Sequence, residues 1–351
     1  MKKTTDSSAK FIATLLAIAF VVTLVLSFFL YSFEKNAYNA ETYKTAFLDK
    51  EFYKRIPTTL GEQLVIMANS NEAGSSEDNT GTALSLFKNL TANDWEILIS
   101  ELLTTEDLQA MSETNIDSLF NYFNGSTSTA SISFTVLKES IESERGVNAV
   151  LALLDTQPTC TLDQIMGMTS SALTGNGLLF CKPPEIALNL AKPLIQTQLI
   201  ALSQGIPQEK AYLSRENPTQ ALVQTQGRRI IMRLSPLVPL FLLSIITVIV
   251  VRSTKSWLKW WGYPLLISGG IGLLLSFLTK PIMQALFDAR ILNESSGGVS
   301  VNMLELVYDL FEAITHAFTQ QSALLAFYSA LFGLIMLLGV FFLDRREKSG
   351  A

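Results

Sequence analysis

Four runs of apolar side chains stand apart from the rest of the chain: Phe11 to Tyr31, Leu237 to Val251, Tyr263 to Leu278 and Ala323 to Leu343. About twenty apolar residues in a helix, at 1.5 Å each, cover a hydrocarbon core of ~30 Å, so these runs predict membrane spans. The second run is short and opens with Pro236 and Pro239, which is tolerated near a span end where neighbours satisfy the freed carbonyls. The last run is the continuation of a longer helix from Val301. Its first half repeats apolar residues at Val307, Leu310, Phe311, Ile314 and Phe318, the period of a helix with one apolar face. Neither Gly nor Pro falls between Val301 and Gln321, so this half should project beyond the bilayer. Its apolar face then needs a cover, for which Glu185 to Leu202 and Gln220 to Ile231 are the expected source. Lys280 to Leu292 continues the third span past a kink at Pro281, and Asn293 to Ser300 has the composition of a hairpin tip.

Between the first two spans the period is helical but the composition is that of a water-soluble domain. Asn39 to Arg55 carries Tyr43, Phe47 and Phe52 on helical spacing, and Pro57 suits the first turn of a helix to about Ala68. Asn69 to Gly81 is polar and reads as a loop. Thr91 with Asp94 resembles a capping box for a helix through Leu103, and Thr105 opens another that reaches Phe123. A short strand is expected at Ile132 to Val136, then helices over Gly146 to Leu154 and over Glu185 to Leu202, where Pro193 is a candidate kink. Thr161 caps a short helix between them, and turns follow at Ile206-Pro207 and Asn217-Pro218. The expected fold class is therefore all-α: an integral membrane protein with four transmembrane helices and a helical extracytoplasmic domain. The segments are a tail (1–10), span one (11–31), the domain (32–235), span two (236–252), a loop (253–262), span three (263–279), a helical hairpin (280–322), span four (323–343) and a tail (344–351).

Charge sets the expected orientation. Lys2, Lys3 and Lys10 precede span one; Arg252, Lys255 and Lys259 join spans two and three; Arg345, Arg346 and Lys348 follow span four. With four spans all three clusters share one side, the cytoplasmic one by the positive-inside rule, and Trp257, Trp260, Trp261 and Tyr263 form an interfacial belt there. A multi-pass cell-membrane protein with both termini cytoplasmic follows. The first run is longer than a usual signal core and lacks a clear cleavage site, which favours an uncleaved anchor. The sequence is 48% hydrophobic and only 16% charged, with two cysteines, Cys160 and Cys181, both in the domain placed outside. Oxidation is favoured there, and a bridge closing their loop would contribute ~3 kcal/mol in the loop-entropy account.

Three pieces, YKTAFLDKEFYKRIP (Tyr43 to Pro57), TANDWEILISELL (Thr91 to Leu103) and PTCTLDQ with CKPPE (Pro158 to Gln164, Cys181 to Glu185), resemble uncharacterised bacterial membrane proteins with a helical domain between their first two spans. The resemblance covers about half the chain. It implies a bacterial cell membrane and carries no catalytic residue with it.

Chemistry-bearing residues are few. His316 is the only histidine, which removes Ser-His-Asp, Cys-His and multi-histidine zinc arrangements within one chain. No phosphate-binding glycine motif is present, and the four apolar runs lack Asp, Glu, Lys, Arg and His, against a coupled transporter. No cofactor is expected. Glu305, Asp309, Glu312 and His316 lie on one helical stripe. The leading reading is a solvated face; the others are pairing with Arg228, Arg229 and Arg233, just outside span two, and a divalent cation held by the stripe. The arginines can alternatively meet outer headgroup phosphates. Ser268 with Gly272 and Ser329 with Gly333 repeat small residues four apart, the spacing of close helix packing. Acids dominate Glu72 to Asp117, which argues against nucleic acid. The functional expectation is a non-enzymatic bacterial membrane protein whose outer domain binds another membrane or surface protein, or scaffolds an assembly. The alternatives are a lipid or small-molecule handling protein with a cavity between domain and spans, and a metal-dependent hydrolase using the stripe.

Overall fold

The structure is a computed structural model that describes residues 2–70, 89–161, 181–214, 218–289 and 298–349. The elements in chain order are α1 (Lys2–Ala37), α2 (Ala40–Asp49), α3 (Phe52–Ser70), α4 (Ala92–Leu102), α5 (Thr105–Asn124), β1 (Thr129–Ser133), α6 (Thr135–Glu142), α7 (Glu144–Asp155), α8 (Glu185–Ser203), β2 (Glu209–Ser214), α9 (Pro218–Leu234), α10 (Leu237–Val250), α11 (Thr254–Phe287) and α12 (Val301–Ser349). The described residues are 82% helical, so the fold is all-α despite the one strand pair among them. The polar loop expected at 69–81 falls almost wholly outside the described residues, as do the short helix placed after Thr161 and most of the hairpin tip.

Four helical stretches are long and apolar enough to cross a membrane: Ala9–Ala37, Thr225–Val250, Thr254–Phe287 and Val301–Arg346. The second is assembled from α9 and α10, which meet at a turn over Ser235 and Pro236. Where α1 packs on α10 and α11, Phe20, Leu243 and Ile246 form a buried nucleus beneath Trp260 and Trp261. At that end Lys255, early in α11, pairs with Asp344, late in α12. The domain between the first two spans, here called the insert, sits at the opposite end.

Residue chemistry accounts for the insert's local structure. Thr91 and Thr104 each exchange hydrogen bonds with an aspartate three residues on, Asp94 and Asp107, closing the first turns of α4 and α5. Gly125, at φ 81°, ends α5 in the left-handed conformation that a side chain would resist. Helices α3, α4 and α7 share a core of Leu90, Trp95 and Leu153, with Leu64, Val65 and Leu98 around it. A methyl group on Gly61 would lie 2.6 Å from the Ala92 carbonyl oxygen, so only glycine lets α3 and α4 approach this closely. The strand expected at Ile132 to Val136 lies at Thr129–Ser133 and pairs antiparallel with β2, with an irregular register between Ala130 and Ser131. The turn-rich reading of 206–218 missed β2, whose Glu209, Lys210 and Tyr212 face outward and give little apolar alternation. Cys160 and Cys181 are joined in a disulfide, and beside it Cys160 donates its backbone N–H to the Lys182 carbonyl at 3.0 Å.

Helices α11 and α12 form the most extensive contact in the molecule. Ser268 Oγ and Ser329 Oγ lie 3.4 Å apart, and the Ser329 hydroxyl donates to the Leu265 carbonyl at 3.1 Å. A methyl on Gly333 would stand 2.5 Å from the Leu266 nitrogen, and one on Gly272 would stand 2.8 Å from the Ala326 side chain. Gly262 and Gly269 make equally close approaches and belong to the same seam. Both helices continue past their apolar stretches, α11 through Pro281 to Phe287.

Candidate functional site

The polar stripe of α12 meets the insert. Its acids face two bases around the corner between α2 and α3, a tight turn in which Glu51 takes a left-handed backbone (φ 50°). The turn delivers Lys50 and Arg55 to one side of α12. Arg55 donates to Asp309 at 2.5 Å and lies 3.6 Å from Glu305; Lys50 lies 3.3 Å from Glu312. The third base, Lys280, comes from the extension of α11 and reaches Glu312 at 2.6 Å. Glu312 thus takes cations from two elements at once, and hydrogen bonding from Lys280 first, then from Lys50, holds its carboxyl below the ordinary value. Further along, Gln63 of α3 donates to the Gly298 carbonyl and accepts from the Ser300 N–H, while Asn302 donates to Glu62 at 2.6 Å. The Arg55–Asp309 and Lys50–Glu312 pairs are roughly a quarter exposed, so each contributes ~0.2–1 kcal/mol, and their value lies in fixing position.

The stripe is therefore neither a bare solvated face nor a partner of the arginines before span two. Arg229 and Arg233, one turn apart on α9, donate through their Nε atoms to a single carboxylate, Glu34 at the end of α1, at 3.1 and 2.8 Å. Glu34 is 4% exposed. Arg229 also donates to the Asn124 side-chain oxygen at 2.5 Å and stacks 4.7 Å over the Tyr38 ring. Arg228 is exposed. Nothing in the local pattern singles out Glu34, because Lys35 beside it offers a local counter-charge. The available signal was the i, i+4 spacing of Arg229 and Arg233, which suits one acid shared between them.

The apolar face of the outer half of α12 is covered from Leu310 to Phe318, with Val307 left exposed, and the cover does not come from the segments expected. Phe311 and Tyr308 pack on Phe287 of α11, with ring centres 5.6 and 5.1 Å apart, and Phe318 stacks on Phe33 of α1 at 5.7 Å. Helix α8 packs instead on α6 and α7, and α9 on α1 and α5. The reason is proximity: the α11 extension already runs beside α12 and carries Phe287, which is 5% exposed.

Between α2 and α12 an open cleft of about 530 Å³ is lined by Thr42, Asp49 and Lys50 on one wall and by Glu312, His316 and Gln320 on the other. His316 is exposed. Among the described residues no three of His, Cys, Asp and Glu come together as a metal site. The carboxylates at Glu305, Asp309 and Glu312 have cationic partners in place of a cation. The cleft can offer hydrogen bonds and charges of both signs to a polar surface. No protein-family model, curated protein or solved structure matches the chain.

Proposed function

We propose that this is a non-enzymatic bacterial membrane protein, both termini cytoplasmic, that presents its helical insert outside the bilayer to another membrane or surface protein. The observation that carries the reading is the clamp of Lys50, Arg55 and Lys280 on Glu305, Asp309 and Glu312. An insert tethered only through its two chain ends would tilt freely on the membrane. One clamped to the projecting part of the last helix keeps a fixed height and azimuth, which suits a surface that must meet a membrane-bound partner in one orientation. The basic clusters at the opposite end, with Trp257, Trp260 and Trp261 among them, support the orientation. His316 as the sole histidine supports a role without acid–base catalysis by imidazole pairs.

The cleft between α2 and α12 favours the second reading, a protein that handles a lipid or small molecule between insert and spans. A photo-crosslinking residue at Thr45, which lines the cleft, separates the two in native membranes. One discrete polypeptide adduct, lost in a Gln320→Trp background, is expected. Adducts to lipid or small molecules alone would replace the first reading by the second.

A further inference from the structure

We infer that the basic end of the spans holds an anionic phospholipid, one acyl chain in the groove between α1 and α11 and its phosphate on Lys259. This site is at the opposite end of the molecule from the α2–α12 cleft and does not rest on the scaffold reading.

The groove is concave, about 680 Å³, and almost wholly apolar. Its walls include Ile18 and Val22 of α1 and Ile267 and Ile271 of α11, each 40–57% exposed. From Lys259 to Ile271 the helix rises ~18 Å, close to one leaflet of a ~30 Å core. An acyl chain lying there touches protein on two sides, which a chain against a convex helix face does not.

The polar end supplies the choice of headgroup. Lys259 and Tyr263 line the groove where α11 begins, within the tryptophan belt. Neighbouring Lys255 is engaged by Asp344, whereas among the described residues no carboxylate pairs with Lys259. An exposed ammonium above an apolar groove at interfacial depth matches a phosphate ester above an acyl chain, and basic recesses between spans bind such headgroups. Tyr263 can donate its hydroxyl to the same phosphate. Phosphatidylcholine presents the same phosphate, but its quaternary ammonium cancels the headgroup's net charge and competes with Lys259 for that phosphate, so a net-anionic headgroup gains more from the lysine.

The test uses the full-length protein in mild detergent with equimolar phosphatidylglycerol and phosphatidylcholine of identical chains, read by native mass spectrometry. About one phosphatidylglycerol per chain should be retained in preference to phosphatidylcholine. Lys259→Gln should lower that retention about fivefold, Lys259→Arg should preserve it, and Val22→Trp, which fills an exposed wall position, should reduce retention of both lipids. Equal retention of the two lipids by the wild-type protein, or unchanged phosphatidylglycerol retention in Lys259→Gln, would overturn the proposal. A thermal shift on adding phosphatidylglycerol provides a second readout: it should be present in wild type and Lys259→Arg and lost in Lys259→Gln.

Discussion

At Glu34 a nearly buried carboxylate accepts from two arginines one turn apart, and Arg229, itself 18% exposed, has no other acid in reach among the described residues. Removing one member of a buried pair leaves the other desolvated and uncompensated, a larger loss than an exposed pair suffers. Glu34→Ala is expected to destabilise the insert by about 2 kcal/mol, below the fully buried figure because Arg233 is 58% exposed. A melting curve in detergent checks this, and Arg233→Ala should cost clearly less than Glu34→Ala. Glu312 makes a pH prediction. Its folded carboxyl titrates below its ordinary value near 4.5, so the clamp contributes in full above that value and is lost as pH falls through the lowered one. Protease sensitivity of the α2–α3 corner should therefore rise on acidification below about pH 4.5. Glu312→Gln should flatten that rise while lowering Tm near neutrality by only about 1–2 °C. Sequence spacing placed Glu305, Asp309, Glu312 and His316 on one stripe. It could not supply Lys50 and Arg55, because those bases lie some 250 residues away and reach the stripe only through the tight turn at Glu51.

Elements were legible wherever local chemistry decides them. The capping box at Thr91, the long helix from Val301 and the continuation of α11 through Pro281 follow from short-range patterns, while the helix expected to open at Thr105 carries its own box one residue earlier, at Thr104. Strand β2 was not legible, since a six-residue edge with one half-buried position carries almost no period-two signal. The docking of α12 was legible as a need, an apolar face requiring cover, while the identity of the cover depended on tertiary neighbours. The α11–α12 seam yields a prediction at this scale. At Gly333 a side chain would strike the backbone of Leu266, which cannot rotate away, whereas Gly270 has open space around its Cβ position. Gly333→Leu should lower stability by about 3 kcal/mol, and Gly270→Leu should change it by less than about 0.5 kcal/mol. Equal melting temperatures for the two variants would remove close backbone packing as the basis of the seam.

For the whole molecule, four membrane-crossing helices and a helical insert were set by the hydropathy pattern, because lipid leaves the backbone no alternative to a helix in a segment of that length. Orientation rests on Lys and Arg placement and is checked by labelling. Both native cysteines are bonded to each other, so a single introduced thiol reports alone. Lys210→Cys, on the exposed strand β2, should react with a membrane-impermeant maleimide in intact cells. Reaction only after permeabilisation would reverse the topology. The central claim is that the insert is held rigidly on the projecting part of the last helix. Spin labels at Thr45→Cys in α2 and Gln320→Cys in α12, on opposite walls of the cleft, measure this directly in protein reconstituted in bilayers. A single narrow distance distribution is expected, broadening in an Arg55→Glu background. A broad or multimodal distribution in the otherwise native protein would contradict it, because the insert would then ride on its chain ends alone.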